Sequence, residues 1–338
     1  MKKYLLPQSG NQYKANMHSH TMWSDGNLTP EELRDEYKKR GYSVVAYTDH
    51  SLFVDRKELA QEDFLPLNGY EIDLTEYGKP FPQTHTCHLN LIALDPDKKV
   101  PVCLHRSRYT FGHVDEHKAD MDFGDEEDFE REYTPECINE VIKRGRENGF
   151  FVTYNHPTWS LEDYPRYIEY KDMNAVEIMN YSCIVGGYDD INTHCYDDLL
   201  RAGNRIAAVA GDDNHNAKPF GHPECDSCGA YTMIVADKLE YRTVTDALVN
   251  GNCYASMGPS INELYVEDGV ITVRTSPAKR IFFTTDIRAN KSFGAEEGKT
   301  INEASFKYNP DSAYVRITVI GTDGKPAFTR AYFADELN

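Results

Sequence analysis

No apolar run in the sequence approaches the roughly 18 residues that a membrane-spanning helix needs. The N-terminal MKKYLLPQSGNQ carries two lysines but no apolar stretch of signal-peptide length, so a cytoplasmic location is the expectation. Positive charge is scarce: 36 Lys and Arg stand against 55 Asp and Glu, a formal net charge of −19. Binding a polyanion needs a cationic surplus, and basic tracts rich in aromatics are also missing, which speaks against nucleic-acid polymers as partners. A small anionic substrate stays open, because cations held in a pocket reverse the local field. Zinc-ribbon spacing is absent too. Cys225 and Cys228 form a C-x-x-C without a second pair, and the eight cysteines read as reduced thiols.

What is present is an alternation of short β-rich and amphipathic segments as far as about residue 255. Seven candidate strands stand out, at residues 14–20, 44–48, 65–73, 88–94, 150–155, 175–180 and 205–210. Runs such as VVAY and IAAVA suit strands covered on both faces. TPEELRDEYKKRG predicts a helix with Thr29 as N-cap, Pro30 at the first position, Glu32 closing a capping box and Gly41 as the stop. TPECINEVIKRG, residues 134–145, opens the same way, with Ile138, Val141 and Ile142 as its apolar face. This alternation predicts an α/β fold with a parallel sheet or barrel. Past Gly258 the pattern becomes purely alternating, with Asp268-Gly269 and Asp323-Gly324 as hairpin signals. The expectation is a domain over 1–257 and a small antiparallel β-domain, sandwich-like, over 258–338. Residues 95–133 fit neither pattern and read as an insertion beside the site.

Six of the twelve histidines fall in or at the edge of these strands. His18 and His20, two apart, point to one face. His50 follows VVAYT, His88 begins HLNLIAL, His156 ends FFVTYN, and His215 closes GDDNH. Asp25, Glu71 and Asp213 occur in the same places. A lone strand histidine is more often a hydrogen-bonded core residue than a ligand, and Asp25-Gly26 alone could be a turn. Together they are hard to explain structurally, since a barrel core prefers Val, Ile and Leu. In a barrel the C-terminal strand ends converge on one face that carries the chemistry.

The segments HSHTMWSDGNLTPEEL, AYTDHS, GYEID, CHLNLIAL, YNHP and GDDNH resemble, in order, the motifs of the PHP (polymerase and histidinol phosphatase) superfamily over residues 12–255. The tail from YASMGPSINEL looks more loosely like the two-domain branch of carbaryl hydrolase-like metallohydrolases. The resemblance implies a distorted seven-stranded (β/α) barrel and a trinuclear site holding about three divalent metal ions. One would take His18, His20, Glu71 and Asp213; a second would share Glu71 and take His88 and His156; the third would take Asp25, His50 and His215. His85 and Asp212 are the neighbours onto which two assignments could slip. Imidazole with carboxylate suits Mn, Zn or Fe. A hydroxide bridging two cations, kept close by Glu71, would attack a small phosphate ester, making the chain a phosphoesterase. The same site could hydrolyse a carboxyl ester or carbamate, or serve a metal-stabilised binding module. Arg106, Arg108 and Lys218 are candidate grips for an anionic substrate, and His222 for protonating a leaving group. Glu177 reads as a partner of a ligand rather than a ligand itself.

Overall fold

A computed structural model describes residues 2–337. Besides a two-residue strand at Lys3–Tyr4 that pairs with the tail, nine strands of the described residues precede the tail: β1 (Asn11–Asn16), β2 (Val44–Tyr47), β3 (Leu65–Thr75), β4 (Thr86–Ala93), β5 (Phe150–Asn155), β6 (Ala175–Asn180), β7 (Ala207–Gly211), β8 (Tyr231–Ala236) and β9 (Cys253–Ser256). Strands β1 to β7 pair in sequence order, and beyond their ends Ser19 bridges Asn214, joining the first segment to the last. β8 lies antiparallel to both β1 and β9.

The sheet is mixed rather than parallel, because β4 runs antiparallel to both β3 and β5. The reason is the connection. Ten residues separate Thr75 from Thr86, and a parallel crossover needs a dozen or more, usually with a helix. The chain therefore turns back on itself as a hairpin. The long excursion after β4 then reverses direction again, and β5, β6 and β7 return to parallel pairing.

Helix α1 (Pro30–Lys38) has the capping box that the sequence predicts: Thr29 accepts from the Glu32 backbone, and Glu32 reaches back to the Thr29 N–H. Helix α2 (Pro135–Glu147) starts on the Thr134 cap and buries Ile138, Val141 and Ile142 against the strands. Each such fully buried aliphatic side chain contributes roughly 1.5–3 kcal/mol. Helix α3 (Thr193–Arg201) packs near β6, and α4 (Tyr241–Val249) against β8. Strands β4 to β7 are buried along their whole length, as their near-continuous apolar runs require.

The tail is antiparallel: β10 (Ile261–Glu267), β11 (Val270–Thr285), β12 (Lys291–Gly294), β13 (Ile301–Lys307), β14 (Tyr314–Gly321) and β15 (Pro326–Thr329). Asp268-Gly269 joins β10 to β11 as the sequence suggests. The tail has its own apolar cluster, including Ile271, Phe283 and Ile317. It is also sewn to the main sheet. β15 pairs with β9, and Arg316 forms a bidentate ion pair with Asp197 of α3, both contacts at 2.7 Å.

Residues 95–133 are largely irregular, yet Val102, Cys103, Leu104 and Val114 are buried in the main core. No helix of the described residues is long and apolar enough to cross a membrane.

Candidate metal centre

All the chemistry-bearing side chains but Asp25 arrive from a strand or the segment just past its C-terminal end. β1 stops at Asn16, so His18 and His20 lie just past it, both fully buried. Backbone bonds from Asp213 N to His18 O (2.9 Å) and from His20 N to Asn214 O (3.2 Å) lock this segment to the edge of β7. Gly211 makes that approach possible, since a Cβ there would sit 2.6 Å from the His18 Cβ. Glu71 projects from β3 and His88 from β4, and the register places His88 across from Asp73 and Asn155. His156 follows β5, and His50, past β2, bridges to Glu71 through the backbone. Asp25 sits on the loop before α1. That loop is tied down by Asp49, which accepts from the Thr21 N–H (2.7 Å) and the Ser24 hydroxyl (2.8 Å). Asp49 of the TDH triplet thus anchors the loop, a role the sequence reading passed over.

All nine residues come together. Their donor atoms, joined by Glu177 as a tenth, form overlapping groups: His18, His20, Glu71 and Asp213; His20, Asp25, His50 and His215; His50, Glu71 and His88; and His18, His156 and Glu177. His20 Nε2 lies 2.9 Å from Asp213 Oδ1, His88 Nδ1 3.0 Å from Glu71 Oε1, and His50 Nδ1 3.1 Å from Glu71 Oε2. Around the outer group, Asp25 Oδ2 is 3.5 Å from His215 Nε2 and 3.6 Å from His50 Nε2.

Hydrogen bonding accounts for only part of this proximity: His88 and His156 bond to Glu71 Oε1, but other atoms are left over. His20 Nδ1, His50 Nδ1 and Asp213 Oδ1 are buried with no hydrogen-bond partner, an arrangement that costs about 1–3 kcal/mol per atom if nothing else satisfies it. The Nε2 atoms of His18 and His20 face each other at 3.2 Å. Converging nitrogen and oxygen atoms with unpartnered members among them fit cations lying between them.

The remaining ring nitrogens are held from behind. His215 Nδ1 donates to the Asp213 carbonyl at 2.9 Å, which turns its Nε2 towards Asp25. His18 Nδ1 donates to Glu177 Oε1 at 3.1 Å, and Glu177 is itself fixed by the His156 N–H and the Asn180 amide. Asn155 donates to Glu71 at 2.9 Å. Such partners fix ring orientation and tautomer. The neighbouring Asp212 is engaged elsewhere, accepting from the N–H groups of Cys228, Gly229 and Ala230 and from the Tyr37 hydroxyl. The C-x-x-C loop therefore cradles a carboxylate, and both its thiols are free. His85 is turned to Glu76, away from the groups above.

Burial and charge compete throughout. Burial alone would raise the Glu71 and Asp213 carboxyls, yet the surrounding imidazoles hold both well below the usual carboxylate range. Burial would lower His18, but Asp213, Glu71 and Glu177 lift it well above an ordinary histidine. The same contest, won by the carboxylates, brings His156 and His215 to about 9. His50 goes the other way, to about 4, through burial and the positive field of His20. Backbone strain marks the same spots. His156 has φ of 25° and Asp213 of 53°, left-handed values that cost such residues on the order of 1–3 kcal/mol each.

The cluster floors a cavity of about 580 Å³, a usual size for a small-molecule site. The predicted substrate residues are not on it. Arg106 is exposed and paired with Asp128, Arg108 with Glu130, and Lys218 stands 3.9 Å from Glu224. His222 is exposed on a turn, its Nδ1 accepting from the Glu224 N–H. The largest wall side chains are instead Phe81, Phe111, Trp159, Leu161 and Tyr188, with the smaller Thr75, Thr84, Thr86 and Ser182 among them. None of these was singled out from sequence, because an aromatic in a loop carries no periodic signal.

No known protein family's sequence profile matches the chain. Among curated proteins it is similar to the DNA polymerase/3'-5' exonuclease PolX of Bacillus subtilis (strain 168), 29% identical over 85 residues, spanning 20% of this chain and only 15% of that protein. Among solved structures it is similar to a two-domain protein of Bacteroides vulgatus ATCC 8482 containing a predicted PHP-like metal-dependent phosphoesterase, at 14% identity and a TM-score of 0.45 over 98% of both chains. A protein of Bifidobacterium adolescentis ATCC 15703, proposed to be a metal-dependent phosphoesterase, has 17% identity and a TM-score of 0.41 over 64% of this chain and 91% of its own.

Proposed function

We propose that this chain is a metal-dependent hydrolase of the PHP kind, a phosphoesterase that cleaves a small phosphate ester. The observation that supports it is the convergence of nine imidazole and carboxylate side chains, three of whose buried atoms, on His20, His50 and Asp213, have no hydrogen-bond partner. In this reading the seven strands β1 to β7 form a distorted barrel, residues 1–257 make the hydrolase unit, and 258–338 make an attached β-domain. His18, His20, Glu71 and Asp213 would hold one cation; Glu71, His88 and His156 a second; Asp25, His50 and His215 a third. Divalent cations of the Mn, Zn or Fe type supply Lewis acidity, which activates water near neutral pH and neutralises charge on a substrate oxygen.

The protein's own groups do the rest. Glu71, held by Asn155, presents both oxygens to the cluster. Glu177 keeps the His18 ring in one orientation. Asp25, held ionised by His215, His20 and His50 against the effect of burial, adds negative charge at the mouth. The apolar walls limit water at the reacting centre.

A second reading, hydrolysis of a carboxyl ester or carbamate, is supported by the absence of Lys and Arg from the residues lining the cavity. A substrate panel separates the two. Phosphate mono- and diesters are set beside carboxyl esters and carbamates, with added Mn and a His156→Ala control. Turnover of phosphate esters that disappears in the control is the expected result. Turnover confined to the carbonyl substrates would replace the leading reading by the second.

A further inference from the structure

We infer that the site takes a substrate whose non-reacting part is apolar and ring-bearing, gripped between Phe111 and Trp159, with no second anionic group. This rests on the phosphoesterase reading for the reacting end of the substrate only.

Three observations lead there. First, no lysine or arginine among the described residues lines the cavity, so beyond the cluster an anion meets hydroxyl side chains such as those of Thr75, Thr84, Thr86 and Ser182 and no cationic group. Arg106, Arg108 and Lys218 face acidic partners outside it. A nucleotide or sugar bisphosphate would leave its second phosphate in a cavity with no cationic side chain to receive it. Second, apolar walls begin directly at the cluster. Phe111 packs on His50 with centroids 4.8 Å apart, and Trp159 meets His156 at 5.1 Å and His88 at 5.4 Å, edge to face. Third, the outer rim is apolar where solvent would favour polar side chains. Phe81 is 80% exposed, and Leu161, Tyr188 and Phe111 are exposed around the same opening. Large apolar side chains grouped around a cavity mark a surface that a ligand covers.

Both grips are built in place rather than left loose. The backbone N–H of Trp159 donates to the buried Asp190 carboxyl at 3.2 Å, which fixes the chain that carries the ring. Phe111 is set by the next two residues: the His113 N–H donates to the Ser24 carbonyl at 2.7 Å, and Gly112, at φ 57°, lies so close that a Cβ would come within 1.8 Å of that carbonyl oxygen. The insertion thus supplies one wall of the cavity and seats it on the loop that carries Asp25. A flat ring entering between the two walls gains offset or edge contacts on either side. Hydrolysis then breaks the bond from phosphorus to the alcohol oxygen and forms one to a water oxygen. The ring-bearing alcohol leaves with a proton from that water.

Trp159 reports on the proposal directly. In a Trp23→Phe background it is the sole tryptophan, since the chain has two. Zn-loaded protein would be titrated with 2-phenylethylphosphonate and 2-hydroxyethylphosphonate, and separately with 2-phenylethanol and ethylene glycol. The expected result is a saturable change in emission with 2-phenylethanol but not with ethylene glycol. The phenyl phosphonate should bind at least about tenfold more tightly than the hydroxyl one. Phe111→Ala should abolish that preference, bringing the two phosphonates to equal affinity. Equal affinities within the phosphonate pair, with no response to 2-phenylethanol, would overturn the inference and leave the phosphoesterase reading standing. A response to 2-phenylethanol with no added affinity from the phosphonate group would do the reverse.

Discussion

Glu162 shows how a single buried residue supports the site without touching it. Its carboxyl accepts hydrogen bonds from the hydroxyls of Tyr133 (2.8 Å), Tyr154 (2.6 Å) and Tyr170. Burial raises its pKa above the ordinary 4.5, and the three hydroxyls only partly oppose the shift. The folded protein therefore holds this proton more tightly than the unfolded chain does. The resulting stabilisation is whole below about pH 4.5 and is lost as pH rises through the raised folded value. Glu162→Gln, a neutral mimic with one fewer acceptor, should be less stable than wild type in acid, and the gap should narrow towards neutral pH. Urea unfolding of both proteins at several pH values measures this, and a gap independent of pH would refute it. Glu162→Leu strands three hydroxyls and should cost about 3 kcal/mol or more at any pH.

At the scale of elements, the insertion between β4 and α2 controls how well the cavity is built. Gly112→Ala forces a Cβ against the Ser24 carbonyl in a backbone conformation that alanine resists. The insertion tip should lift while its buried anchors, Val102 and Val114, hold the rest in place. The expected outcome is a fall in kcat/KM of about tenfold or more, with a thermal midpoint lowered by only a few degrees. A variant with unchanged kinetics would show that Phe111 and the Asp25 loop do not depend on this seat. How legible such elements are in the sequence follows from range. The α1 capping box and the Asp268-Gly269 turn depend on neighbours within four residues, and they stand where the sequence puts them. The antiparallel insertion of β4 depends on the length of one connection, which a strand-by-strand reading does not weigh. Sequence pattern alone places His18 and His20 within a strand. They lie beyond β1 because their backbone groups bond to residues 213 and 214, almost two hundred positions away. The candidate ligands were legible because metal chemistry restricts residue type so strongly. Phe111 and Trp159 were not, because any apolar residue in a loop reads alike until the fold sets it on a histidine.

On the scale of the whole molecule, the proposed metal centre is also a clasp. Its donors come from positions 18 to 215, so no unfolded segment can assemble the set, and cations would bind the folded state almost exclusively. Binding of that kind stabilises by RT ln(1 + [L]/Kd), roughly 4 kcal/mol at a thousandfold excess over Kd. The apo cluster carries the opposing cost of orphaned donors at His20, His50 and Asp213. The acidic surface adds to the effect, since a net charge of −19 favours the approach of divalent cations and favours it less as salt rises. Chelation and dialysis should therefore lower the thermal midpoint by several degrees, and added Mn or Zn should restore it in proportion to the logarithm of its free concentration. Asp213→Asn, which keeps the shape of the side chain but removes its charge, should flatten that dependence. Calorimetry with metal analysis across a chelator series gives both quantities together. A midpoint indifferent to divalent cations would mean that the converging donors are stable by themselves, and the proposed centre would lose its physical basis.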